Sequence, residues 1–314
     1  MTGAVVHPRA LPNTLSAEEL RIRPADRDRP ELAVDPSRAG WRYLSFRVTA
    51  LGAGDEMAVG SDGLETAVVV LGGGGASVVP EAAPPLELPG RESVFEALPW
   101  AAWLPPGTRA RIASQPRQDG GAVHLALAQA PASGRSGVAE TPIRIGPDDV
   151  RVEVRGAGNA TRQINHIIAP DFPADRLLLV EVFTPAGNWS SWPPHKHDVD
   201  AMPAEAVLEE VYHYRLRRPE GWAIQRLYRG DGSRDALWAV AHGDLVLVTD
   251  GYHPFAAAHG YDAYYLNALA GDRRTMACSF DPDLDWTRAA WSGMETDPRV
   301  PLVRPAGWPR AIDR

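Results

Sequence analysis

The chain is a long succession of short apolar or alternating runs, each closed within a few residues by glycine or proline, a spacing that leaves little room for helices of ordinary length. In the first half the runs are Trp41–Val48, Thr66–Leu71, Ala76–Val79, Ala101–Leu104 and Val123–Ala128. In the second half they are Val150–Arg155, Leu177–Thr184, Glu210–Leu216, Ala223–Tyr228, Leu245–Thr249 and Ala263–Leu269. Strands this short and this closely spaced predict an all-β protein of sandwich or barrel type. The glycine run 72–75 lacks the Lys-Ser/Thr of a phosphate loop and is expected to form a hairpin turn.

The two halves also repeat each other. Glu65-Thr-Ala-Val-Val-Val-Leu71 parallels Glu210-Val-Tyr-His-Tyr-Arg-Leu216, and Trp103-Leu-Pro-Pro-Gly107-Thr-Arg109 parallels Leu247-Val-Thr-Asp-Gly251-Tyr-His253. Almost the same interval separates Glu65 from Gly107 as Glu210 from Gly251. Two tandem copies of one small β-barrel are the simplest architecture. Residues 1–38, rich in Pro, Arg, Asp and Glu, read as an irregular N-terminal arm, and the Gly/Ser/Pro-rich stretch Pro131–Pro142 as the boundary between barrels. Domains of 39–140 and 141–314 follow, the Pro- and Trp-rich residues after about 281 packing back over a domain surface.

Only His7 and His124 of the nine histidines lie in the first half, and Arg109 stands where the second copy has His253. A histidine-bound metal is therefore expected in the second barrel alone. There, Pro193-Pro194-His195-Lys196-His197 places two histidines one residue apart on a backbone that proline keeps out of a helix. In an extended chain, side chains at i and i+2 leave the same face about 6.6 Å apart, so both imidazoles can reach one ion while Lys196 points away. Glu209 or Glu210, and His253 after the run Leu245–Thr249, can complete the set. Strand alternation puts Glu210, Tyr212 and Tyr214 on one face and Glu209, Val211 and His213 on the other. The repeat, by aligning Glu210 with Glu65, favours Glu210 as ligand. His166, His213, His242 and His259 are expected to be structural or exposed. Nitrogen and oxygen donors of this kind suit Zn, Mn, Fe, Co or Ni.

Charge and length exclude several classes. The 314 residues carry a net charge of −8, from 32 basic and 40 acidic side chains, with no basic run, so neither nucleic acid nor an anionic membrane finds its usual electrostatic footprint. No stretch of about 18 apolar residues occurs, and the N-terminus has no signal-like apolar run. The single cysteine, Cys278, excludes an internal disulfide, and a cytoplasmic protein is expected. A homo-oligomer is compatible with the sequence.

His-x-His, a later strand glutamate, and Gly243-Asp-Leu-Val-Leu-Val-Thr-Asp-Gly251-Tyr-His253 together resemble the cupin pattern. Gly187–Asp198, Leu208-Glu-Glu-Val-Tyr212, Gly251-Tyr-His-Pro254 and Gly260–Gly271 more specifically resemble the 5-deoxy-glucuronate isomerase family of bacterial inositol catabolism. In the first half, Gly90-Arg-Glu-Ser-Val-Phe95 and Arg155-Gly-Ala-Gly-Asn159 add to the likeness, which spans roughly residues 40 to 285. The twelve residues between His197 and Glu210 exceed the usual cupin spacing but are shared with that family. The resemblance implies a bicupin, two double-stranded β-helix barrels, related to uronate ketol-isomerases. It also implies a divalent metal, zinc first, on His195, His197, Glu210 and His253.

The implied reaction is the aldose–ketose exchange of 5-deoxy-D-glucuronate to 5-dehydro-2-deoxy-D-gluconate. Metal-bound hydroxide, Glu210 and Tyr212 are all compatible with the role of proton carrier. Either Gln225 or Arg226, on the strand Ala223–Tyr228, is expected to face inward and take the sugar-acid substrate. A hydride shift is the alternative to an enediol. An iron-dependent cupin oxygenase and a non-catalytic sugar-binding bicupin are the rival functions.

Overall fold

The structure, a computed structural model, describes residues 13–27, 30–61, 63–115, 120–305 and 307. His7 and the first twelve residues of the arm lie outside them. Every run singled out in the sequence contains a strand, and among the described residues helices are confined to pieces of three or four residues, such as Ala17–Leu20 and Trp286–Ala289. The first barrel joins a six-stranded sheet to a four-stranded one. The second joins a seven-stranded sheet to another of four, with His195–Lys196 and Ser279–Phe280 pairing separately. Pairing is antiparallel throughout the named strands, as short connections require.

The two larger sheets pack against each other, which explains why their strands are apolar on both faces. Along Leu64–Gly73, Ala67, Val69 and Leu71 belong to the core between the barrels, whereas Val68 and Val70 fill the interior of the first barrel. That interior also holds Leu51, Val78, Leu88, Leu104 and Ile112, all buried and apolar. Among the described residues, no group of three ligating side chains gathers there.

Three expectations are corrected. Gly72–Gly75 do not close a hairpin: Leu64–Gly73 pairs within one sheet and Gly75–Pro80 within the other, so the glycines turn a corner between sheets. Gly73 sits at φ +82°, and a Cβ there would stand 2.0 Å from the Ala122 carbonyl oxygen. The arm is not irregular: Arg21–Ile22 adds an edge strand to the second barrel at Leu245–Val246, and Leu32–Val34 adds one to the first. The first barrel also extends beyond residue 140, because Ile143–Ile145 pairs with Ala101–Leu104. In these segments Leu20, Leu32, Val34 and Ile145 are buried in the shared core.

Candidate metal centre

The strand Glu209–Leu216 lies between Leu245–Val248 and Ala263–Ala270, so its alternating side chains are buried on both sides. One face turns Glu210, Tyr212 and Tyr214 toward the barrel interior. The other turns Glu209 and His213 toward the first barrel, where His213 packs against Phe46 with ring centroids 6.3 Å apart.

Glu210 Oε2 is 2.9 Å from His197 Nε2 and 3.5 Å from His253 Nε2. His197 Nδ1 donates to the Leu208 carbonyl at 3.0 Å, and His253 Nδ1 donates to the Gly251 carbonyl at 3.0 Å. Those backbone acceptors fix the Nδ1–H tautomers and aim both Nε2 atoms at the carboxylate. His253 Nε2 is buried and has no hydrogen-bond partner. Burial pushes the His253 imidazole down to about 3, keeping it neutral with a free lone pair. Burial also opposes protonation of His197, but Glu210 outweighs it and holds that imidazole above its ordinary value.

One ligand atom from each of His197, Glu210 and His253 can be chosen so that all lie within 4.8 Å of one another. A lone pair left orphaned against a carboxylate fits a cation between them, and the N,N,O donor set suits a divalent first-row metal. His195 stands beside this group, its ring centroid 4.6 Å from His253 and 6.3 Å from His197, and burial drives its own titration down to about 3.

The surrounding scaffold locks these parts together. Lys196 Nζ turns away from the histidines and donates to Asp198 at 2.6 Å and Glu205 at 2.8 Å. Asp198 in turn accepts the Gly251 N–H at 2.9 Å, tying the His-x-His segment to the turn that carries His253. Glu205 accepts the N–H groups of Asp198 and Val199, which fastens the long insertion before Glu209. Gly251 makes that turn at φ +83°, where a Cβ would meet the Tyr228 carbonyl oxygen at 2.5 Å.

Glu209 is committed elsewhere, accepting the backbone N–H groups of Arg42, Tyr43 and Leu44 at 2.6–2.9 Å. Glu65 does the same from the other side, accepting from Asp175, Arg176 and Leu177 and from the Trp103 indole. Thr66 pairs with Leu104 as Glu210 pairs with Val248, so Glu65 corresponds to Glu209 and Glu210 to Thr66. The repeat alignment was thus one residue out. The interval from Glu209 to Gly251 equals that from Glu65 to Gly107, and that equality was present in the sequence.

A cavity of about 370 Å³ opens beside the cluster, lined among others by His195, His197, Glu210, Cys278, Phe280 and Trp291. Arg155, Arg162 and Arg288 also line it, none of them singled out from the sequence as a substrate contact. The substrate contacts expected there are not brought to it. Arg226 lies on the outer sheet face, bound to Asp235 at 2.8 and 2.9 Å and stacked on Tyr228. Gln225 is buried, but its amide is spent on Tyr214 and on the carbonyls of Arg226, His253 and Pro254. Tyr212 lies beneath the cluster, its ring 5.8 Å from His253 and its hydroxyl 2.9 Å from Ser191 Oγ. Burial and the Glu210 charge push its phenol well above the usual range.

A model of the KduI/IolB family matches residues 20–287. The chain belongs to the KduI/IolB family. Among relatives of this family member, the 5-deoxy-glucuronate isomerase of Geobacillus kaustophilus is 40% identical over 255 residues, 81% of this chain and 88% of the relative. The protein of the same name from Listeria monocytogenes is 37% identical over 246 residues, 78% and 87% of the two chains. An IolB-like protein from Salmonella typhimurium LT2 has a crystal structure that superposes with a TM-score of 0.79 at 35% identity, covering 85% of this chain and 98% of its own. Bacillus subtilis oxalate decarboxylase, at 11% identity and TM-score 0.55 over 83% and 79%, shares the fold alone. The two-barrel fold expected from the internal repeat is therefore the fold of this family.

Proposed function

We infer that the protein is a 5-deoxy-glucuronate isomerase, a metal-dependent intramolecular oxidoreductase of the aldose–ketose type that acts in myo-inositol catabolism in the cytoplasm. The reaction moves hydrogen from C2 to C1 of 5-deoxy-D-glucuronate, so the aldehyde becomes an alcohol and the C2 alcohol a ketone. The product is 5-dehydro-2-deoxy-D-gluconate, and no external oxidant or reductant enters. Among observations of the site, the buried His253 Nε2, unpartnered and facing Glu210, which lines a cavity edged by arginines, supports the reading most directly. The family relationship supplies the substrate.

His197, Glu210 and His253 are the proposed holders of the ion, with His195 as the fourth, and zinc is the first choice of metal. When bound, a divalent cation supplies Lewis acidity that stabilises negative charge developing on the substrate oxygens. The protein contributes an apolar wall beside the ligands from Trp192, Leu208, Leu269, Phe280 and Trp291, which strengthens such charge stabilisation. Glu210 and Tyr212 are the proposed proton carriers. Tyr212 works as a donor, since its phenol is held protonated, and its hydroxyl continues through Ser191 to Tyr265, Ser190 and Thr184 over contacts of 2.9–3.3 Å.

NMR of the conversion in D₂O, with metal analysis of the same sample, tests the proposal. Turnover without O₂ or nicotinamide and with a stoichiometric divalent metal is expected. A metal-replete protein that leaves 5-deoxy-D-glucuronate unchanged overturns it. Deuterium at C6 of the product, the former aldehyde carbon, marks proton transfer through an enediol, and its absence marks hydride shift or a shielded proton.

A further inference from the structure

We propose that Arg162 receives the terminal carboxylate of the substrate and thereby selects sugar acids over neutral sugars. The proposal rests on the isomerase reading above, which leaves open what holds the end of the substrate remote from C1 and C2. Of the three arginines lining the cavity, only Arg162 is both buried and free of a carboxylate partner among the described residues. Arg155 is engaged by Glu153 at 2.7 and 3.0 Å. Arg288 is half exposed, lies 3.4 Å from Asp285 and stacks on Phe280.

Arg162 makes one hydrogen bond, from Nη1 to the Ala160 carbonyl at 3.1 Å, and its guanidinium lies 5.9 Å from the Trp291 ring. A guanidinium has five N–H donors in a planar fork, and leaving a buried one without an anion is costly. Burial lowers its titration only to about 10, so it stays charged at neutral pH. A carboxylate entering the cavity supplies the missing acceptors in bidentate form.

The turn before the strand Arg162–Ile168 is shaped around this group. Gly156 adopts φ +88°, and a Cβ there would lie 2.9 Å from Arg162 Nη1 and 2.1 Å from the Ala160 carbonyl oxygen. Trp291, whose ring lies 5.9 Å from the guanidinium, lines the same cavity and is brought there by the C-terminal segment. That segment is pinned by the Asp297 N–H on Thr161 Oγ1 and the Gly158 N–H on the Glu295 carbonyl. The turn that carries Arg162 and the segment that carries Trp291 are therefore tied to each other.

The test compares wild type, Arg162→Gln and Arg162→Lys, all metal-loaded, on 5-deoxy-D-glucuronate and on its uncharged counterpart 5-deoxy-D-glucose. For Arg162→Gln, kcat/KM for the acid is expected to fall about 100-fold, mainly through KM, with the neutral sugar changed less than about threefold. Arg162→Lys should recover part of the preference. Equal losses on both sugars, or an unchanged preference in Arg162→Gln, overturn the proposal. Calorimetric binding of D-glucuronate against D-glucuronamide gives a reading independent of turnover, with glucuronate alone weakened at least about tenfold in Arg162→Gln. If wild type turns over neither sugar the isomerase reading fails, and the binding comparison still decides whether Arg162 holds a carboxylate. Should Arg162→Gln fail to fold, Arg162→Lys decides: undiminished discrimination against glucuronamide with an unchanged Kd for glucuronate counts against the fork geometry.

Discussion

His253 commits its Nδ1 proton to the Gly251 carbonyl and leaves Nε2 buried without a partner beside Glu210. Such an atom is expensive to retain unless something fills the gap, and a cation does so. His253→Ala and His197→Ala should each lower metal affinity by about 100-fold or more while the far-ultraviolet circular dichroism stays that of the wild type. Stoichiometric metal retained by either variant removes that residue from the ligand set. The His-x-His pair and His253 were readable because their spacing after Pro-Pro and after Gly251 is a local property. Arg162 was not, since what distinguishes it from other arginines is the absence of a nearby carboxylate, which no spacing records.

The strand Glu209–Leu216 carries the interbarrel clamp on one face and the candidate metal group on the other, so two adjacent carboxylates have different partners. Glu209 holds the turn 42–44 of the first barrel, and Glu65 holds the turn 175–177 of the second, each through three main-chain N–H groups. Replacing either by Gln should cost about 1.5–3 kcal/mol of stability by denaturant unfolding, because charge-assisted hydrogen bonds are lost in both. Metal affinity separates them: it should drop several-fold in Glu209→Gln, next to Glu210, and stay at the wild-type value in Glu65→Gln. Equal metal affinity in the two variants refutes the idea that the first barrel positions the candidate ligand strand. Alternation along the strand was legible in the sequence, but which face meets which neighbour was not.

At the scale of the molecule, the barrels are joined by a buried ion pair between Arg91 and Glu181, which Tyr264 and Asn165 also hydrogen-bond. Arg91→Met should destabilise by about 3–5 kcal/mol, since it strands a buried carboxylate, and the double variant Arg91→Met/Glu181→Gln should lose less. Denaturant midpoints of the three proteins check this. His124, in the same interface, hydrogen-bonds Arg215 at 3.2 Å, and burial with the Arg215 and His242 charges pushes its pKa from 6.5 down to about 4. Below pH 6.5 the unfolded chain takes up a proton that the folded protein refuses, so stability falls as pH drops toward 4. His124→Gln should flatten that part of the pH profile of unfolding, and an unchanged slope assigns the acid sensitivity to other groups.

The sequence by itself determined the all-β character, the duplication, the concentration of histidines in one copy and the short set of candidate ligands. Each of these depends on local periodicity or on composition. Only the tertiary structure decided that Glu209 faces the other barrel, that Arg226 lies outside the cavity, that the glycine run turns a corner, and that Arg162 stands unpaired inside. The physical reason is distance along the chain. The Arg42 N–H that claims Glu209 comes from 167 residues away, and the Glu181 carboxylate that neutralises Arg91 from 90. Alternation says that two side chains face opposite ways, and the partners that give each face its role are assembled only when the barrels close on one another.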